Sequence, residues 1–199
     1  MLNMENFDLY IVTGNSGTGK STVADKIGKS LGVEICDPDL MRRKLGIETY
    51  DTADTHKVMT EIYRSIENSL RHKKPAVLCT AYVRRTAREQ SYKLLRKISD
   101  EVGLKLKAIL IRCSCEEDIA KSRIEARSNE AGLHSPGNDP SIYDKYRKLD
   151  ESISSDEINQ NPDVSFLAYD SDKNITGSIC VRPHHQQQIE MVTKIIQEM

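Results

Sequence analysis

The chain has no tryptophan, and its flat side chains amount to eight tyrosines and two phenylalanines in 199 residues. That leaves no broad platform on which successive bases could stack. It also lacks an excess of either charge: 29 Lys and Arg stand against 30 Asp and Glu, with the cations scattered along the chain. A general nucleic-acid coat protein, which relies on a basic field, is thereby excluded, and only a local groove for a strand end is left open. No stretch approaches the roughly 20 apolar residues of a membrane span. The opening "MLNMENFDLY" lacks the charged-then-apolar layout of a signal peptide. The expectation is a soluble, cytoplasmic protein with no membrane partner. The five cysteines, Cys36, Cys79, Cys113, Cys115 and Cys180, are odd in number and mostly lie in or beside apolar runs, so reduced thiols are expected in place of a disulfide framework. Cys113 and Cys115 have no second spaced pair to complete a metal site and read as strand-end packing. His184 and His185 read as the polar start of a terminal helix.

What is present has the rhythm of an α/β protein. Short apolar runs bounded by turn formers occur at Leu9–Thr13, Val33–Cys36, Ala76–Thr80, Leu106–Ile111 and Ser165–Tyr169. Helical patterns separate them, at Lys20–Ser30, Leu40–Leu45, Thr52–Arg71, Thr86–Val102, Glu116–Arg127, Ser141–Ser152 and His184–Gln197. This alternation predicts one domain over 1–199, with a mostly parallel five-stranded sheet and helices on both faces. Ligands would then gather at the carboxyl ends of the strands. The stretch "RSNEAGLHSPGNDPS", 127–141, reads either as a lid or as an ordinary surface loop. A second irregular stretch, Ser171–Pro183, precedes the last helix.

The segment Gly14-Asn15-Ser16-Gly17-Thr18-Gly19-Lys20-Ser21 fits G-x-x-x-x-G-K-[ST], after a predicted strand and at the start of a predicted helix. Glycines let successive backbone N–H groups turn toward phosphates, and the helix N-terminus, with Thr22 in its first turn, adds partial positive charge. Lys20 supplies a mobile cation for the β and γ phosphates, and the Ser21 hydroxyl is a ligand for Mg²⁺. Nothing resembling Asn-Lys-x-Asp follows, so ATP is the expected nucleotide, with Mg²⁺ as its companion.

Past the second strand, "DPDLMRR" places Asp37, Asp39 and Arg42 close together. A carboxylate there can accept the proton of an attacking hydroxyl while an arginine holds an anionic part of the acceptor. The competing reading is that Asp39 caps the short helix and Arg42 is solvated. Arg123 and Arg127 are four apart and share one helix face.

Together these segments resemble the small P-loop kinases that include polynucleotide 5′-hydroxyl kinases, zeta-toxin-like kinases and related small-molecule kinases. The resemblance runs over about 9–169, from the GxxxxGKS strand and helix through "DPDLMR", "VLCTAYVRRTAR" and "AILIRCSCEEDIAKSRIEAR". It implies a P-loop NTPase fold with a lid, Asp39 as general base and Arg42 as acceptor binder. Arg85 and Arg88 would belong to the basic loop that shapes the acceptor site. Arg123 and Arg127 would be lid arginines that neutralise the phosphoryl group in flight, where one arginine can change the rate by about 10³ to 10⁵. "AYDSD", Ala168–Asp172, resembles the segment near the adenine. The chain departs from the family at Cys79, where an Asp is usual, and Asp37 is the positional substitute for that carboxylate. The acceptor hydroxyl stays open between a nucleic-acid or nucleoside 5′ end and a small sugar or alcohol. The rival to a kinase is an ATP-binding regulatory module with weak or no transfer.

Overall fold

The computed structural model describes residues 6–48, 51–128 and 140–198. Its centre is β1 (Leu9–Thr13), buried at every position, as a strand must be when helices cover both sheet faces. β1 lies between β3 (Ala76–Thr80) and β4 (Ala108–Ser114), parallel to both. β2 (Ile35–Cys36) extends the sheet beyond β3, and β5 (Val164–Asp170) extends it beyond β4. A sixth strand, β6 (Ile175–Cys180), runs antiparallel along β5 and completes the order β2-β3-β1-β4-β5-β6.

The chain travels one way from β1 to β2 and the other way from β2 through β3 to β4. With crossovers of one hand, the connecting helices must fall on opposite faces. Accordingly α1 (Lys20–Leu31) packs with the carboxyl-terminal helix on Tyr10, Val12 and Ile111. The helices α3 (Thr52–Arg71) and α4 (Arg85–Val102) pack on Leu9, Ile11 and Leu110. Neighbouring residues of β1 thus serve opposite cores, the period-two alternation of a strand. The remaining elements are α2 (Pro38–Leu45), α5 (Glu117–Ser128), α6 (Pro140–Lys148), α7 (Ser155–Gln160) and α8 (Gln186–Gln197).

Several expectations are corrected here. The sheet has six strands, because part of the irregular stretch 171–183 is β6, whose Ile175 and Ile179 face solvent. The helix expected to run to Ser152 stops at Lys148, and α7 follows it. The last helix begins at Gln186, after a 3-10 turn over Pro183–His185. The lid expected at 127–141 falls for the most part outside the described residues.

His185 is not a polar helix start but fully buried. Its Nδ1 meets Ser165 Oγ at 2.8 Å, and its ring stands edge-on to Phe7 at 5.0 Å. Burial, reinforced by the nearby charges of His184 and Lys107, lowers its pKa from 6.5 to about 4. The unfolded chain therefore takes up this proton first as pH falls, and the stability contributed by neutral His185 is lost between about pH 6.5 and 4. Urea midpoints measured across that window should fall in the native protein, and the slope should flatten in His185→Gln.

Candidate active site

The loop after β1 is fixed by contact with its neighbours. Gly14 has φ 153°, and a Cβ there would lie 2.4 Å from the Cys113 carbonyl oxygen at the end of β4. Gly17 has φ 78°, and a Cβ there would lie 2.4 Å from the Ala120 carbonyl oxygen on α5. Both conformations and both clearances require glycine. Within the loop, Asn15 Oδ1 accepts from Ser16 N (2.7 Å), and the Asn15 carbonyl accepts from Thr18 Oγ1 (2.8 Å) and Lys20 Nζ (3.3 Å). Asn15 Nδ2 donates to the Tyr143 carbonyl on α6 at 2.9 Å in a buried contact. Gly19, in the left-handed region, leads directly into α1, so Lys20 and Ser21 open that helix.

Two clefts meet at this loop. The first, about 450 Å³, lies between α1, α5 and the end of β5; Gly17, Gly19, Lys20, Ser21 and Thr22 form its loop side. Arg123, Arg127, Tyr169 and Ser171 form the opposite side. Arg123 Nη1 donates to the Gly17 carbonyl (3.2 Å) and to Ser171 Oγ (2.8 Å), tying loop, helix and β5 end together. Arg127 Nε donates to the Arg123 carbonyl at 3.1 Å. The buried Arg127 Nη2 has no hydrogen-bond partner among the described residues. A guanidinium nitrogen left in that state beside a helix N-terminus fits an anion.

The second cleft, about 440 Å³, opens on the other side of Lys20, which lines both. Asp37, just before α2, and Asp39 and Arg42 within it line this cleft, with Thr80 at the end of β3 and Tyr82 after it. Asp37, not Asp39, caps α2: its Oδ1 accepts from Asp39 N (2.8 Å) and Leu40 N (3.1 Å). Asp39 sits two residues inside, in the first turn of α2 and within the cleft. Arg42 is buried, and its Nη2 donates to Thr55 Oγ1 at 2.9 Å.

Cys79, also lining this cleft, is buried with its Sγ 3.9 Å from Ser21 Oγ. Burial pushes its thiol up to about 12; Lys20 opposes this and Asp37 reinforces it. A neutral thiol is a poor ligand for a hard cation. The oxygen donors of Ser21 and Asp37 suit Mg²⁺ better.

Two arginines expected at the acceptor site are elsewhere. Arg85 spends its side chain on Glu89 (2.9 Å) and Gln160 (2.8 Å). Arg88 is 1% exposed and forms a two-pronged pair with the fully buried Glu157 of α7, at 2.8 and 2.7 Å. Its Nη1 donates to the carbonyls of Val83 (2.8 Å) and Glu151 (3.1 Å), and Tyr92 Oη donates to Glu157 (2.9 Å). Desolvation excludes an arginine from this interior unless its charge is matched, and Glu157 matches it. Conversely, Ile142, Lys145 and Tyr146 of α6 line the second cleft and were not foreseen. Their i, i+3, i+4 spacing was the available signal.

Fold and loop together define a P-loop nucleotide-binding protein. The family model described as an AAA domain (AAA_33) matches residues 9–141, two thirds of the chain, and the chain belongs to that family. No curated protein matches it in sequence. Among solved structures it is similar to a Chloroflexus aurantiacus protein to which kinase activity has been attributed: TM-score 0.63, 16% identity, 98% of this chain and 100% of that one. It is also similar to a protein described as a sugar kinase from Janibacter sp., with TM-score 0.55, 17% identity, and 94% and 93% covered. Both are likenesses of fold. No helix among the described residues is long and apolar enough to cross a membrane.

Arg88→Met should destabilise the protein by about 3–5 kcal/mol, because it strands the Glu157 carboxylate in the interior. Most of that loss should return in Arg88→Met combined with Glu157→Leu, read from urea unfolding. An acceptor-binding arginine would instead raise the acceptor KM and leave the unfolding midpoint in place.

Proposed function

We propose that the protein is an ATP- and Mg²⁺-dependent kinase that transfers the γ-phosphoryl group to an acceptor hydroxyl. The observation that carries this is the position of Lys20, one ammonium group lining both the loop cleft and the acid-bearing cleft. A phosphoryl group passing from a nucleotide in the first to a hydroxyl in the second would cross that charge. The loop amides and Lys20 would hold the triphosphate, and Arg123 and Arg127 would face it from α5. Ser21 and Asp37 would hold Mg²⁺, which when bound neutralises phosphate charge.

Asp39 then accepts the proton of the acceptor hydroxyl as its oxygen bonds to the γ-phosphorus. The bond from that phosphorus to the β–γ bridging oxygen breaks, and ADP departs with the electron pair. Arg42 orients the acceptor on the same side. Cys79 supports the rival reading, a nucleotide-binding module without transfer, because it removes a carboxylate from beside the metal position. Asp39 and Asp37 on the facing wall favour transfer, since a module that only binds ATP needs no acidic second cleft.

With γ-labelled ATP, Mg²⁺ and a panel of hydroxyl acceptors, Asp39→Asn should lower kcat by about 10² to 10⁴ and leave the ATP Kd within about twofold. Lys20→Met should impair ATP binding and transfer together. ATP turnover that no acceptor accelerates would overturn the kinase assignment.

A further inference from the structure

The second cleft is built for a narrow class of molecule. Its apolar walls are Val58 and Met59 of α3, the ring of Tyr82, and Ile142 and Tyr146 of α6, while Ser16, Thr55 and Thr80 add hydroxyls near the acids and Lys20. The Tyr82 hydroxyl is hydrogen-bonded to the Tyr63 hydroxyl on α3, so the ring, not its polar end, is what the cleft can use. Thr55 Oγ1 already accepts from Arg42. No Asn, Gln, Glu or His lines the cleft among the described residues. A polyol brought here would meet Ser16, Thr80 and the acids on one side only; hydroxyls turned toward Val58, Met59 and Ile142 would lose water hydrogen bonds, and each one left unmatched weakens binding. A flat ring meets no such loss and gains contact with two aromatic walls.

The cleft also carries two cations besides Lys20. Arg42 is buried in one wall. Lys145 lines the cleft from α6 and is exposed, and no ion pair involves it among the described residues. Its helix neighbours differ: Asp144 pairs with Lys121, and Arg147 pairs with Glu117. The one cation of α6 that lines this cleft is therefore the one left for a ligand. A polynucleotide end would call for further cations along its path, and Arg85 and Arg88 of the nearby basic run are committed to Glu89 and Glu157.

We propose that the acceptor is a small anion that carries its hydroxyl on a flat, largely apolar body, with the ring between Tyr82 and Tyr146 and the anionic group toward Arg42 and Lys145. This rests on the kinase assignment above. The anion could be a carboxylate or a phosphate monoester, and the same chemistry would recognise both.

The test pairs each anion with its neutral counterpart: 3-(hydroxymethyl)benzoate with its amide, and 3-(hydroxymethyl)phenyl phosphate with 3-(hydroxymethyl)phenol. Gluconate, glucose, glycerol and a 5′-hydroxyl oligonucleotide complete the set. Transfer is followed with γ-labelled ATP, and binding is followed separately by thermal shift of the ADP- and Mg²⁺-loaded protein. One or both flat anions should be labelled at least about tenfold better than their neutral counterparts, the charge-assisted contact being the difference. The carboxylate and phosphate arms show which anionic group is used.

Lys145→Gln, on an exposed position that folding does not need, should raise the anion's KM about tenfold, leave kcat near its native value and leave the neutral partner's KM unchanged. Preferred labelling of gluconate, glucose or glycerol, or of the oligonucleotide, over both flat anions would overturn the acceptor class while keeping the kinase. A thermal shift from a flat anion that Lys145→Gln abolishes, with no label transferred to any acceptor, would support the cleft's preference and overturn the kinase. Neither shift nor label from any flat anion would overturn the acceptor class.

Discussion

The site depends on how closely the turn between Thr13 and Lys20 is pressed against β4 and α5. With 2.4 Å between a would-be Cβ of Gly14 and the Cys113 carbonyl, and the same between Gly17 and the Ala120 carbonyl, the loop has one path available. That closeness has consequences beyond the loop. Because α5 touches Gly17 at Ala120, Arg123, three residues further along the same helix, can bond the Gly17 carbonyl and reach Ser171 at the end of β5. Because the path ends in α1, Lys20 emerges at the boundary of two clefts and is not buried in either. A rigid loop on the central strand is what lets one charge line two clefts.

The segments legible in the sequence were those whose environment leaves a local trace. β1 and β3 were read to the residue, at Leu9–Thr13 and Ala76–Thr80, because burial on both faces produces an unbroken apolar run with turn formers at either end. β6 left no such trace: its isoleucines face solvent, Gly177 and Ser178 interrupt it, and its place is set by pairing with β5. The six residues of α7 are too few to show a period. Its start was nonetheless written in the sequence, since Ser154 accepts from Glu157 N in the S-x-x-E arrangement of a helix beginning.

The site divides in the same way. Gly14 to Ser21 form a continuous motif, so every member could be named from sequence. Asp39 and Arg42 were legible through their spacing, although the cap on α2 turned out to be Asp37. Arg85 and Arg88 were misplaced because a basic run looks the same locally whether its residues meet a ligand or a distant carboxylate. Glu157 lies 69 residues after Arg88, and only the folded chain brings them within 2.7 Å. Lys145 and Tyr146 show the converse. The buried bond from Asn15 Nδ2 to the Tyr143 carbonyl docks α6 on the phosphate loop, and that docking, invisible in the local pattern, carries both residues to the second cleft.

The replacement of a carboxylate by Cys79 at the end of β3 has a physical reading within this arrangement. A third acid beside Asp37 and Asp39 would add negative charge where a triphosphate and its acceptor must approach, and like charges at close range oppose that approach. A buried thiol with its pKa pushed up to about 12 stays neutral and leaves Lys20 facing two carboxylates. Backbone geometry already sets those two apart. Asp37 is pinned through Oδ1 by the amides of Asp39 and Leu40, which suits a carboxylate that must hold its position beside a metal. Asp39, two residues further on, is outside that pair of cap bonds as an acceptor, which suits a carboxylate that must take up a proton. An acceptor bringing its own negative charge would be tolerated here only where Arg42 and Lys145 can meet that charge. The neutral thiol, which adds no negative charge, and the two cations thus complement each other.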